Sequence, residues 1–189
     1  HSGTYSAKIT TVALTSSSAS LVIAYGIPDT MGIIVTGNIS VVGVSASVKI
    51  GIPFTQRISQ FQFYYEYMPN GVDTASCSVV LSHFSGGKRN TLGAGVFKTP
   101  ATVSAWTQGT VNINWDSASG NPDTIVVMFS SSGLTAGSKP QVGSTMYVDD
   151  ASIVTGINEL NAPATNVNVY PDPASSAVYF NISGNSMAN

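Results

Sequence analysis

The stretch FQFYYEYMPNG, residues 61–71, decides how the chain is read. Alternate positions of a strand point to opposite faces, so Phe61, Phe63, Tyr65 and Tyr67 share one side. With Gln60 in front, the other side carries Gln60, Gln62, Tyr64 and Glu66. Four aromatics in register make a core face, because phenylalanine has no hydrogen-bonding group and tyrosine only one. The opposite face is polar and holds a single aromatic, Tyr64, between carboxamides and a carboxylate. Pro69, Asn70 and Gly71 then end the strand.

Period-two patterns recur outward from this strand in both directions. TYSAKITTVAL is the first, LVIAYG and GIIVTGNISVV follow, and CSVVLSHF comes after the aromatic strand. GAGVFKT, GTVNINW, DTIVVMFSS and GSTMYVDDASIV complete the set. No window sustains a helical period. About ten short strands separated by turn residues predict an all-β sandwich or barrel. Gly86–Asn90 and the segment TVSAWTQG around Trp106 read as loops.

Composition agrees. Of 189 residues, 43% are hydrophobic, enough for one substantial core. Only 8% are charged, against about 25% in an ordinary soluble domain. The 27 Ser and 18 Thr that replace them suit strands and turns better than helix surfaces. Such a polar, weakly charged surface suits contact with neutral polymers. The net charge of −2 and the scattered seven basic residues exclude a nucleic-acid partner. No apolar run has the length of a transmembrane segment. The single cysteine, Cys77, precludes an internal disulfide and reads as a buried free thiol.

After Leu160 the composition shifts. NAPATNVNVYPDPASSAVYFNISGN places three prolines between two short apolar pieces. The expected organisation is a main domain over 1–160 and a linker with a small appendage over 161–189, the latter too short for its own core.

Several stretches taken together carry a resemblance: SGTYSAKI, GIPFTQRISQFQFYYEYMPNGVDTASCSVVLSHF, PDTIVVMFSSS and VGSTMYVDDASI. Over roughly residues 1–155 they resemble the PCMD family, a carbohydrate-metabolism domain of secreted bacterial proteins. The chain departs from the family at Glu66, where a lysine is frequent, and at Ile58, where proline is. A contact made by that lysine is therefore not transferred. The resemblance implies a jelly-roll β-sandwich, similar to carbohydrate-binding modules, and carbohydrate as the partner. Tyr170-Pro171-Asp172-Pro173 is similar to the opening of a type IX secretion sorting domain, which usually reads Tyr-Pro-Asn-Pro. That implies a protein secreted or held at the outer cell surface, with other domains of a longer chain as further partners.

On this reading the ligand-binding candidates are Tyr64, Glu66 and Gln62 on the polar face of the aromatic strand, with Trp106 and Trp115. Tyr64 and the tryptophans can stack on a sugar ring; each tryptophan reads equally as a packing residue. Asp149 and Asp150 are adjacent carboxylates that repel unless hydrogen bonds or a cation intervene. They are the candidate ligands of a structural Ca²⁺, the one cofactor expected. Asp29, Asp73 and Asp123 sit in turns, where aspartate caps backbone amides.

The expected function is a non-catalytic carbohydrate-binding or glycan-associated module. One alternative is a structural or adhesive surface domain without a sugar site. The other is a glycoside hydrolase, which needs two carboxylates about 5 to 9 Å apart. The two glutamates, Glu66 and Glu159, are far apart in sequence, and His83 and Ser130–Ser132 show no nucleophile motif. The sequence weighs against catalysis and leaves it open.

Overall fold

The computed structural model describes residues 1–15, 29–42, 45–116, 120–134 and 139–155 and the two strands 166–170 and 179–183; within 38–48 and in the last two strands it describes backbone only. The predicted strand LVIAYG lies outside the described residues. Every regular element described is a strand.

The elements in chain order are β1 (Ala7–Thr10), β2 (Val12–Ala13), β3 (Thr30–Met31), β4 (Ile33–Val35), β5 (Gly37–Val42), β6 (Ser45–Ile50), β7 (Ile52–Pro53) and β8 (Gln60–Met68). They continue as β9 (Ala75–Ser85), β10 (Lys88–Thr99), β11 (Val103–Asn112), β12 (Asn114–Trp115), β13 (Thr124–Ser130), β14 (Thr145–Val154), β15 (Asn166–Tyr170) and β16 (Tyr179–Ser183). The chain divides into two units, His1–Gly156 and Ile157–Asn189. In the second, β15 and β16 form an antiparallel pair with Val167 opposite Ile182.

The first unit is built on two antiparallel sheets. One has the order β1-β14-β8-β11, the other β12-β10-β9-β13-β4, with β7 also on β13. Their inner faces meet through the residues that alternation assigned to the core. Phe61, Phe63, Tyr65 and Tyr67 of β8 are buried, and so are Cys77, Val79 and Leu81 of β9 and Ile125, Val127 and Phe129 of β13. The Phe63 ring meets Phe129 edge-on at 5.0 Å and Phe97 at 5.4 Å, so one side chain of the first sheet touches two strands of the second. This is an all-β sandwich-like arrangement.

Two close approaches shape the site. Phe63 occupies the space in which a side chain at position 109 of β11 would start; a Cβ there would lie 2.5 Å from the ring. Gly109 thus lets β11 lie flat against β8. In the other sheet, β4 and β7 pair with successive parts of β13, and the hairpin β5–β6 leaves between them. Gly51, at φ +95°, re-enters the sheet there, donating its N–H to Thr36 O at 2.7 Å.

Two segments read as loops are strand. Gly86 and Gly87, both at positive φ, close β9 onto β10 as a two-residue turn, so Arg89 pairs with Phe84 and Asn90 with His83. The segment around Trp106 belongs to β11, with a register irregularity between Val103 and Thr107. That irregularity breaks the period-two signal.

Candidate active site on the outer face of the first sheet

The register of three strands assembles the polar face of β8 with its neighbours. Tyr147 of β14 stands opposite Glu66, and Asp149 opposite Tyr64. Gln108 of β11 is opposite Tyr64 on the other side, Thr110 opposite Gln62 and Asn112 opposite Gln60. Lys8 of β1 is opposite Tyr147, its ammonium 5.7 Å from the ring centroid. Inward partners Met146, Val148, Gly109 and Val111 are buried, which fixes these alternate residues on the outer face.

Glu66 and Asp149 are therefore diagonal neighbours on adjacent strands. Such positions have Cα atoms roughly 7–8 Å apart, so the two side chains border one patch of the face. The half-buried Tyr64, directly opposite Asp149 and two residues before Glu66, presents a ring beside them. The His1 imidazole already lies on that ring, 3.6 Å between centroids and 7° from parallel.

The chain is distorted at this point. Pairing of β14 with β8 slips between Asp149 and Ser152, and Asp150 adopts φ +46°, the one positive value at a non-glycine residue among those described. Bulges of this kind re-aim side chains and gather next to active sites. Simple alternation separates Asp149 and Asp150, but the bulge turns both carboxylates toward the first two residues. Asp149 accepts hydrogen bonds from the His1 ammonium and, at 2.8 Å, from the Asp150 N–H. Asp150 contacts His1 Nδ1 and accepts from Ser2 Oγ, each at 2.6 Å. The ammonium and the Asp150 amide hold the Asp149 carboxyl below the usual carboxylate range.

Calcium takes six to eight oxygen ligands, backbone carbonyls among them. Among the described residues no group of three or more His, Cys, Asp or Glu side chains gathers around one point. Both Asp149 and Asp150 already hold protein hydrogen-bond donors.

Of the residues expected to bind ligand, the sheet brings Gln62, Tyr64 and Glu66 together with Asp149 and Asp150. Trp106, half-buried, lies in the β11 irregularity that faces Glu66. Trp115 is elsewhere. It belongs to β12 at the edge of the second sheet, with its ring against Gly93 and the Arg57 guanidinium 4.0 Å from its centroid. Its Nε1–H donates to Ile58 O at 2.8 Å, so the polar edge is engaged in packing. Trp115 thus lies apart from the outer face of the first sheet. Tyr147 and Lys8 were missed, although Thr145-Met-Tyr-Val-Asp149 alternates as clearly as β8. Alternation names a face only once the strand's neighbours are known.

Two other acid clusters lie away from this face. Asp73 is buried and accepts from Thr74 N, Gly133 N and Gln141 N and from the Ser132 and Ser144 hydroxyls. Burial pushes its pKa up, but the hydroxyl and amide donors outweigh it and the net shift is downward. Beside it Tyr67 is pushed up to about 12 by burial and by the Asp73 charge. Asp123 accepts from Phe84 N at 2.7 Å, from Thr124 Oγ1 and from Arg89 Nη1, which together lower it to about 2. These are the turn roles expected of them.

Two solved structures share the fold. One is described as a putative glycoside hydrolase from Bacteroides thetaiotaomicron; its TM-score is 0.60 at 15% identity, over 80% of this chain and 53% of that one. The other, described as a putative glycoside hydrolase from Bacteroides vulgatus, gives 0.55 at 17% identity, over 80% of this chain and 73% of that one. The chain thus spans about half the length of the first, 53%. No family model and no curated protein matches it. Both neighbours carry a hydrolase description and not that of a binding module, against the expected non-catalytic reading; at 15% and 17% identity the likeness to them shows the fold. Among the described residues no helix is long and apolar enough to cross a membrane.

Proposed function

We propose that the chain is the sandwich domain of a glycoside hydrolase, acting at the outer face of its first sheet. The observation that carries this reading is the diagonal placement of Glu66 and Asp149 around Tyr64 at a backbone bulge. Hydrolysis of a glycosidic bond needs one carboxylic acid to protonate the leaving oxygen. A second, ionised carboxylate attacks the anomeric carbon or takes a proton from the attacking water. Asp149, which accepts the Asp150 N–H at the bulge, is assigned the ionised role, and Glu66 the acid role. Tyr64 supplies the ring face against which a pyranose lies, and Tyr147 flanks Glu66 on the next strand.

The finer form of the fold is part of the same reading: a jelly-roll, supported by the chain crossing between sheets at β8–β9, β10–β11 and β13–β14. So is membership of the PCMD family, supported by the motifs quoted above. Work outside the cytoplasm is supported by the low charge and by Tyr170-Pro171-Asp172-Pro173, of which 171–173 lie outside the described residues.

The test is release of reducing ends from a panel of neutral and acidic polysaccharides and aryl glycosides. Release from at least one substrate, lost in both Glu66→Gln and Asp149→Asn with the fold intact, is the expected result. A folded protein that releases nothing from any of them overturns the reading, as does activity retained in both variants.

A further inference from the structure

On the same face, beyond the carboxylates, four carboxamides are joined head to tail. Gln108 Nε2 donates to Gln62 Oε1 at 3.4 Å and Gln62 Nε2 donates to Gln60 Oε1 at 3.1 Å. Gln60 Nε2 in turn donates to Asn112 Oδ1 at 2.9 Å. The chain of amides crosses between β8 and β11 at the surface, where Gln108 and Asn112 are exposed and Gln60 and Gln62 half-exposed. Each amide nitrogen carries two hydrogens and each amide oxygen two lone pairs. After these bonds every nitrogen keeps at least one hydrogen, and each oxygen at least one lone pair. The mutual bonds hold the side chains in fixed orientations, which lowers the entropy lost when they grip something else.

Packing gives no reason for this arrangement. The opposite side of the same two strands is the apolar core, and among the described residues of the first unit no strand is layered on this face. A row of fixed donors and acceptors with no charge of its own matches adjacent hydroxyls of a neutral sugar ring, each of which donates and accepts. From Gln60 to Glu66 the strand covers six residues, about 20 Å at roughly 3.3 Å per residue, enough for several rings.

We propose that Gln60, Gln62, Gln108 and Asn112 are substrate-positioning residues that hold further rings of a linear neutral polysaccharide while Glu66 and Asp149 act at one end of the row. The inference rests on the hydrolase reading for its catalytic end, but not for its binding. A uronate polymer is disfavoured, because its carboxylates meet acceptors and the negative Glu66 and Asp149 rather than a row of cations.

The experiment compares neutral β-linked gluco-, manno- and xylo-oligosaccharides of two to six units, with oligogalacturonates as the acidic arm. Both kcat/KM and calorimetric affinity are read on the full chain. In at least one neutral series both quantities rise with length. The Gln60→Ala/Gln62→Ala variant and, separately, Asn112→Ala reduce the six-unit to two-unit ratio; the double variant does so about tenfold, the size expected from losing two neutral hydrogen bonds. Binding that lengthens with the chain but shows no hydrolysis sinks the catalytic reading and leaves the amide row standing. Hydrolysis with no dependence on length, a ratio unchanged in both variants, or oligogalacturonates bound as well as the neutral series, overturns the amide row. Absence of binding by every oligosaccharide overturns it too.

Discussion

The molecule carries two carboxylate centres built on opposite principles. Asp73 is closed: five donors from three segments converge on its two oxygens. Glu66 and Asp149, on the outer face of the first sheet, lie beside an aromatic ring and not inside a cage of hydroxyls; Glu66 is half-exposed, and Asp149 accepts from the Asp150 N–H and from the first residue. A buried ion with all its acceptors satisfied ties chain segments together and has no capacity left for a substrate. A half-exposed carboxylate with fewer donors contributes less to stability and keeps lone pairs for a ligand. Position in the fold, and not residue type, separates the structural acid from those proposed to react.

That contrast breaks most sharply in activity. Glu66→Gln and Asp149→Asn are expected to reduce turnover by about 10²–10⁴-fold, the range for loss of a positioned acid or base. Urea unfolding of Glu66→Gln should show no change beyond about 0.5 kcal/mol, as for other surface substitutions. If this variant unfolds the protein instead, the open centre is structural and the distinction fails.

Asp73→Ala should do the reverse. It leaves two buried hydroxyls and several N–H groups without their acceptor, at a cost of about 3–5 kcal/mol. Its pH signature has a definite sign. The folded pKa lies below the unfolded 3.8, so on acidification the unfolded chain takes up the proton first. The stabilisation is complete above that value and is lost as pH falls through the lower folded one. Asp73→Asn should flatten this acid limb of the stability curve, measured by urea midpoints between pH 5 and pH 2, roughly the window of a depressed carboxylate.

Beneath the open face, Gly109→Ala tests how tightly that face is set on the core. The added methyl meets the Phe63 ring, and overpacking of this kind costs about 1–3 kcal/mol. Because it shifts β11 against β8, it should also weaken substrate binding, where Asp73→Ala should lower only the melting temperature. Tyr64→Ala is the mildest in stability, below about 0.5 kcal/mol. It should raise KM several-fold through loss of ring stacking, read in the same assay.

The inner face of β8 was legible in the residues themselves. Phe61, Phe63, Tyr65 and Tyr67 alternate without interruption, and burial of large apolar side chains dominates every competing term. Cys77 followed from the same logic, and its burial pushes the thiol up to about 12. Trp106 was placed in a loop because an irregularity inside β11 erases the alternation that marks a strand. Trp115 could be read as a platform or as packing, because nothing in NINW announces that Arg57, fifty-eight positions earlier, will lie across it.

What the chain alone determined is the class of structure: all-β, a polar and weakly charged surface, one aromatic strand with a core side and a polar side. These are local properties, set by period and by the cost of burying polar groups. Only the tertiary structure decided which polar residues meet. Tyr64 stands beside Glu66 and Asp149 because β14, more than eighty residues away in sequence, pairs with β8 in one register and bulges at Asp150. A slip of one residue would put Val148 outside and Asp149 in the core, so the burial of Met146 and Val148 selects the register that exposes the acid.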